Sequence, residues 1–251
     1  MSLTAMIVIP ARLSSTRLPR KMLLAETGRT LIEHTWQNAS TARGAGRGIV
    51  LTDSDEIAAA VRGFGGEAIM TSPEATSGTA RIVEALDRLP AAAVIVNVQG
   101  DEPELPVAAI ETAMDLLARC PEAGVATLVT PLRRREDLDD PAAVKAELTP
   151  WRQPMSPGAA SDRTPRAAGQ PVTGAWRAIT FSRAAVPWAR EWRDDLLAAE
   201  PPIYWQHLGL YAYRRSVLEA WNSLPESRLA CHERLEQLRL IEAGIPIVAG
   251  V

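Results

Sequence analysis

MIVIPARLSSTRLPRKMLL, residues 6–24, joins two kinds of sequence with no transition between them. Ile7, Val8 and Ile9 form a short apolar run rich in β-branched residues, which reads as a buried strand. The loop that follows places Arg12, Arg17, Arg20 and Lys21 on one short piece of backbone, with Ser14, Ser15 and Thr16 between them. A strand feeding such a loop can aim backbone N–H groups and several cations at one anion, and a triphosphate is an anion that needs this many donors. An ordinary solvated basic loop has the same composition, and the loop alone does not choose between the two.

Outward from this stretch, strand and helix alternate. Thr30 is placed to cap a helix running to about Arg43, with Leu31, Ile32, Thr35 and Trp36 on one face. Residues 49–52, IVLT, form a second strand ending at Asp53, and Ser54 or Asp55 caps a helix through Ile57, Ala60 and Val61. A short third strand is expected over 67–71. The polar loop SPEATSGTAR, 72–81, leads into a helix over 81–89. The most apolar strand, 93–98, stops at Gln99-Gly100-Asp101-Glu102-Pro103. Pro106 opens the next helix at the position that suits proline, and 125–132 is a further strand.

This alternation predicts an α/β fold: a mostly parallel sheet with helices on both faces. In such sheets ligands bind beyond the carboxyl ends of the strands. Residues 12–21, Asp53 and residues 99–102 lie at such ends, and 77–81 follow a fourth. That coincidence favours a site over scattered polarity. Asp101 is the sharpest single residue, because it follows an apolar strand and a glycine. A carboxylate there suits a Mg²⁺ bridging phosphates, since magnesium takes one or two protein carboxylates and leaves the rest to phosphate and water. A helix N-cap is the alternative, and Pro103 and Pro106 make a later cap the better one.

The second half is less regular. Residues 133–140 are charged and read as solvated. Residues 150–173 hold five prolines and no apolar period, which reads as a surface insertion. Order resumes over 179–186, and 207–213, HLGLYAY, reads as a strand. A helix over 229–243, closed by Gly244, and a last strand over 245–248 complete the chain.

Composition removes several classes. The 251 residues carry a net charge of −3, which gives no support for nucleic-acid binding, so the basic cluster is local and suits a small anion. No apolar run approaches the roughly 20 residues needed to span a bilayer, and no secretory signal is visible, so a cytoplasmic location without membrane insertion is expected. The two cysteines, Cys120 and Cys231, have neither metal-ligand spacing nor a disulfide framework and read as buried free thiols. There is no G-x-G-x-x-G after the first strand and no G-x-x-x-x-G-K-[ST], which counts against a dinucleotide dehydrogenase and a P-loop enzyme. No Ser-His-Asp arrangement can be proposed. His34 and His232 read as structural, and His207 differs only in opening the HLGLYAY segment.

Six segments then fall into one order: IPARLSSTRLPRKML (9–23), TSGTAR (76–81), NVQGDEP (97–103), FSRAAVPWAR (181–190), HLGLYAYR (207–214) and LEQLR (235–239). Together they closely resemble the 3-deoxy-manno-octulosonate cytidylyltransferases (CMP-Kdo synthetases), over nearly the whole chain outside 150–173. The resemblance implies a single domain of the glycosyltransferase-A-like, nucleotide-diphospho-sugar transferase type. It has a nucleotide-binding half over about 5–132 and a sugar-binding and dimerisation half over about 133–251. It implies transfer of CMP from CTP to 3-deoxy-manno-octulosonate (Kdo) with Mg²⁺, releasing pyrophosphate, in a homodimer that serves lipopolysaccharide synthesis. Arg12, Arg17 and Lys21 would hold the triphosphate, with Arg12, Lys21 and Asp101 as the catalytic set and Asp101 as the metal ligand. Ser77, Thr79 and Arg81 would face the cytosine, with Gln99 near the nucleoside. Arg183, Arg190, His207, Tyr211, Glu236 and Gln237 would line the sugar-acid pocket.

Three departures are visible. Ala80 stands where the family has glutamate, and Cys231-His232-Glu233-Arg234 precedes LEQLR where the family more often has a histidine followed by apolar residues. The family pattern also continues after the last strand with a GVDTPEDL-like segment whose aspartate is a second magnesium ligand, and the sequence ends at Gly250-Val251, before that aspartate. The rival readings are a cytidylyltransferase for another acidic sugar, and a catalytically silent paralogue that binds nucleotide.

Overall fold

The computed structural model describes residues 4–14, 18–153 and 170–251. The chain forms two compact units, Met1–Ala118 with Gly209–Ser223, and Arg119–Leu208 with Leu224–Val251. A division of the sequence near residue 132 therefore misses that 209–223 return to the first unit.

The first unit is built from β1 (Ala5–Ala11), α1 (Leu31–Ala39), β2 (Ile49–Thr52), α2 (Asp55–Gly63), β3 (Glu67–Met70), α3 (Gly78–Ala85), β4 (Val94–Asn97) and α4 (Val107–Arg119). The strands lie in the order β3-β2-β1-β4, all parallel. Val8 of β1 pairs with Ile49 on one side and Asn97 on the other. Ile7, Val8 and Ile9 are all buried, so both faces of the sheet are covered, and the run is continuous rather than alternating.

Two glycines show what covers each face. A Cβ at Gly48 would lie 3.1 Å from Ile9 and 3.3 Å from Trp36, which puts α1 over the Ile9 face. A Cβ at Gly78 would lie 3.5 Å from Pro10, the next residue of the strand, which puts the start of α3 on the opposite face. The helix starts follow the sequence closely. Thr30, Ser54 and Ser77 each accept a hydrogen bond from the backbone N–H three residues on. The helix expected over 81–89 begins earlier, at Gly78, because Ser77 caps it, and it ends in a 3-10 turn over Leu86–Arg88.

The second unit contains β5 (Val125–Pro131), α5 (Arg135–Asp139), β6 (Lys145–Arg152), β7 (Pro171–Ser182) and the first residues of β8 (Trp205–Arg214). After α6 (Arg215–Glu219) of the first unit come α7 (Arg228–Glu233), α8 (Gln237–Glu242) and β9 (Ile247–Gly250). Here β5 and β9 are parallel, while β9–β7, β7–β6 and β6–β8 are antiparallel. The later residues of β8 run antiparallel to β4, with Tyr211 opposite Asn97. All strand pairs among β3, β2, β1 and β4 of the first unit are parallel, whereas the second unit combines one parallel pair, β5–β9, with antiparallel ones.

Several expectations change in this unit. The ends of the supposed insertion are strand, with Arg152 paired to Pro171; residues 154–169 lie outside the described residues. The charged stretch 133–140 contains α5, anchored because Leu138 is buried with Leu132 and Tyr204. The helix expected over 229–243 is two helices, broken where Arg234 takes a left-handed conformation with φ 53°. Cys120 is buried as expected, but Cys231 is exposed, since α7 is short and buries none of its residues. Among the described residues, no helix is long and apolar enough to cross a membrane.

Candidate active site

The first unit gathers its polar loops at the carboxyl ends of its strands. Arg12 follows β1, Asp53 follows β2, and Gln99, Gly100 and Asp101 follow β4. A cavity of about 360 Å³ is lined by Arg12, Ser77, Gly78, Arg81, Gln99, Gly100 and Asp101, among others. A wider one, about 870 Å³, shares Arg12 and adds Arg20, Asp53, Ser54, Asp55 and Glu56. Both fall in the size range of ligand sites.

Lys21 lies on a 3-10 turn over Lys21–Leu23, and its ammonium meets Asp101 Oδ2 at 2.8 Å. Gly100 makes this geometry possible. A Cβ there would come within 3.0 Å of the Pro10 carbonyl oxygen, and the Gly100 carbonyl accepts from Thr35 Oγ1 at 2.8 Å. The β4 turn is therefore pressed against β1 and pinned to α1. Beside Asp101, burial raises the Glu102 pKa above the usual carboxylate range, and the Asp101 charge adds to that. Arg12 is exposed and makes no hydrogen bond to the described residues.

The three residues expected at the cytosine have different surroundings. Ser77 lines the smaller cavity, but its hydroxyl is engaged by Ala80 N at 3.1 Å. Arg81 also lines it, yet its guanidinium is buried and committed. Nη2 donates to Asp53 Oδ2 at 2.9 Å, and Nη1 donates to Thr71 Oγ1 and the Ser72 carbonyl. Its positive charge is neutralised within the fold. Thr79 is buried behind the wall with its hydroxyl 3.4 Å from the Tyr213 hydroxyl. Arg17 lies outside the described residues.

In the second unit, β6 brings two of the expected residues together. Lys145 pairs with Ser182 on one side and Gln206 on the other, so Arg183 follows at the end of β7 and His207 on β8. His207 is buried, with Nε2 2.9 Å from Thr127 Oγ1 and its ring edge-on to Phe181 at 4.9 Å. Burial lowers its pKa to about 3, so near neutral pH it is an uncharged hydrogen-bonding group. Arg183 donates Nε to the Glu233 carbonyl at 2.7 Å and Nη1 to the Pro141 carbonyl at 2.9 Å. Glu236 sits exposed at the start of α8, and Gln237 is buried in its first turn. Arg190 is exposed, and no hydrogen bond or ion pair holds it among the described residues. Tyr211 belongs to the first unit and stacks on Tyr213, with ring centroids 5.6 Å apart.

Two residues of this region were not singled out from the sequence. Lys145 is completely buried, its ammonium on the Asp140 carbonyl at 2.8 Å, and burial pushes its pKa down. A lone lysine inside the apolar run AAVKA, 142–146, is the signal that could have found it. Glu233, which binds the backbone of Arg183, carried no such signal.

Residues 6–247 match the family described as Cytidylyltransferase. The 3-deoxy-manno-octulosonate cytidylyltransferase of Rhodopirellula baltica is 44% identical over 98% of this chain and 89% of its own length. The 8-amino-3,8-dideoxy-manno-octulosonate cytidylyltransferase of Shewanella sediminis is 37% identical over 98% of the chain and 89% of its own length. A solved CMP:2-keto-3-deoxy-manno-octonic acid synthetase complexed with CTP superposes with a TM-score of 0.80 at 36% identity, covering 98% of this chain and 88% of that one.

Proposed function

The chain belongs to the cytidylyltransferase family, and from that premise we propose that it transfers CMP from CTP to Kdo with Mg²⁺, releasing pyrophosphate. One observation carries the reading furthest: Asp101, which Lys21 engages, lines one cavity with Arg12 at the carboxyl ends of a parallel sheet. That is where an open α/β sheet binds its ligand.

In this reading the anomeric hydroxyl of the sugar attacks the α-phosphorus of CTP, and pyrophosphate leaves in line. The reaction needs positioning and charge neutralisation rather than a protein nucleophile. Arg12, Arg17 and Lys21 bind the triphosphate and stabilise the leaving pyrophosphate. Ser77, Thr79, Arg81 and Gln99 shape the nucleoside end, Arg81 through the Asp53 pair that fixes the start of α3. Arg183 or Arg190 takes the sugar's carboxylate, since a guanidinium matches a carboxylate with two hydrogen bonds. His207, being neutral, orients sugar hydroxyls with Glu236 and Gln237 of the same unit.

Asp101 fits a magnesium ion. Its carboxylate is 41% exposed, and Lys21 engages one oxygen. Burial is the main cause of the raised Glu102 pKa, and the smaller part that comes from the Asp101 charge would be relieved by a cation there. Among the described residues, no three acidic, histidine or cysteine side chains cluster as a metal site of their own, so Asp101 would share the ion with substrate phosphates and water. When bound, magnesium supplies Lewis acidity at the α-phosphate and lowers the pKa of the attacking hydroxyl. The enzyme works as a homodimer in this reading, which light scattering tests as a mass twice that of the chain.

A second substrate is favoured by one observation, the similarity to the Shewanella sediminis relative named for the 8-amino sugar. Pyrophosphate release from CTP and Mg²⁺ with Kdo, 8-amino-3,8-dideoxy-manno-octulosonate or N-acetylneuraminate separates the readings. Release with Kdo above the others is expected. Preference for the amino sugar moves the substrate and keeps the chemistry. Silence with all three, in a protein that binds CTP, replaces the enzyme with a nucleotide-binding paralogue.

A further inference from the structure

We propose that Glu233 is a positioning residue for the sugar acid: it fixes Arg183 so that a charged guanidinium meets the sugar's carboxylate. This rests on Arg183 as the carboxylate ligand. Glu233 ends α7 and holds the turn after β7 at three points. Its Oε1 accepts from Ser182 Oγ at 2.7 Å, and its Oε2 accepts from the Arg183 backbone N–H at 2.8 Å. Its own carbonyl accepts Arg183 Nε at 2.7 Å. That carbonyl is at the end of a helix broken at Arg234, where backbone oxygens lose their intrahelical partners.

The opposite side of the guanidinium is fixed as well. Arg183 Nη1 donates to the Pro141 carbonyl, and the buried Lys145 ammonium donates to the Asp140 carbonyl next to it. One short backbone segment thus anchors both cations.

The arrangement has a chemical consequence. The carboxylate of Glu233 is used on the backbone amide and on Ser182, while the guanidinium receives only carbonyl dipoles. Among the described residues no carboxylate forms an ion pair with Arg183. Its charge is oriented but not neutralised, and Nη2 remains for an incoming acid. Arg81 in the first unit is the contrast, because Asp53 neutralises it. A guanidinium held this way selects an anionic substrate and loses little freedom on binding it.

The test is two-substrate kinetics of Glu233→Ala and Glu233→Gln beside Arg183→Ala, with thermal melting of each. Glu233→Ala should raise the KM for Kdo about tenfold, leaving the KM for CTP and the kcat at saturating Kdo within about twofold. Glu233→Gln keeps one acceptor and the side-chain length, so it should fall between Glu233→Ala and the unaltered enzyme; it also answers if the alanine variant does not fold. Equal changes in both Michaelis constants would mean a merely structural role and overturn the proposal. An unchanged KM for Kdo in the Glu233 variants, beside a raised one in Arg183→Ala, overturns the positioning role alone. An unchanged KM in all three overturns the carboxylate assignment beneath it.

Discussion

In the first unit Lys21 and Asp101 meet with 35% and 41% of their side chains open to solvent, and Arg12 is exposed beside them. In the second unit Lys145 and His207 are buried, and the Arg183 guanidinium is held by two backbone carbonyls. The difference follows the chemistry of the two proposed ligands. A triphosphate brings several charges of its own, so half-exposed cations on a loop suffice, and a pair such as Lys21–Asp101 contributes only ~0–1 kcal/mol to the fold. A sugar acid brings one charge and many hydroxyls. Its reader has to be built from groups whose orientation is fixed, and burying them costs stability unless every donor is satisfied. Changes at the half-exposed Lys21 and Asp101 of the first unit are therefore expected to cost activity with little effect on folding. Changes in the second should cost affinity and stability together.

The largest effect should come from Asp101→Asn, which removes charge from the turn without changing its volume. Turnover should drop about a hundredfold or more, with the melting temperature nearly unchanged because the side chain is half exposed. A variant that melts normally and keeps near-normal turnover would remove Asp101 from the metal site.

His207 gives a smaller effect of the opposite kind. Its folded pKa, about 3, lies below the usual value of 6.5 because burial disfavours the charged ring. Between those two values the unfolded chain binds more protons, so stability rises with pH through the window and the full contribution is present above 6.5. Lowering the pH from 6.5 to 5 should cost about 2 kcal/mol through this residue. Denaturant titrations of the unaltered enzyme and His207→Gln across that range should show the dependence in the first only. Parallel curves would mean that the ring is not held neutral.

Ser77→Ala separates two roles for one hydroxyl. As the cap of α3 it should contribute about 1 kcal/mol to stability, with the KM for CTP moving less than threefold. A large change in KM at unchanged stability would put the hydroxyl on the nucleotide instead.

Much of the first unit was legible because its signals are local. The apolar runs of β1, β2 and β4 and the caps at Thr30 and Ser54 each lie within a few residues of the element they set. Asp101 stood out for the same reason, an apolar strand followed by a glycine. Arg81 was named as well, but its commitment to Asp53 was not legible, because that partner lies 28 residues earlier and nothing in TSGTAR shows the pairing. The second unit depends on such distant pairings throughout. Lys145 meets Ser182 and Gln206 across long connections, and Glu233 reaches Arg183 from 50 residues away. The break at Arg234 was hidden for a related reason: the apolar spacing continues through it, while the carbonyl it releases is taken by Arg183.

In the proposed function, Lys21 of the first unit meets the triphosphate and Arg183 of the second meets the sugar's carboxylate. The Michaelis constants for CTP and Kdo in Lys21→Ala and Arg183→Ala, measured by pyrophosphate release, test this division. A crossed result is expected, with Lys21→Ala raising the constant for CTP about tenfold or more and Arg183→Ala doing the same for Kdo, each leaving the other within about twofold. Two variants that raise both constants together would contradict it.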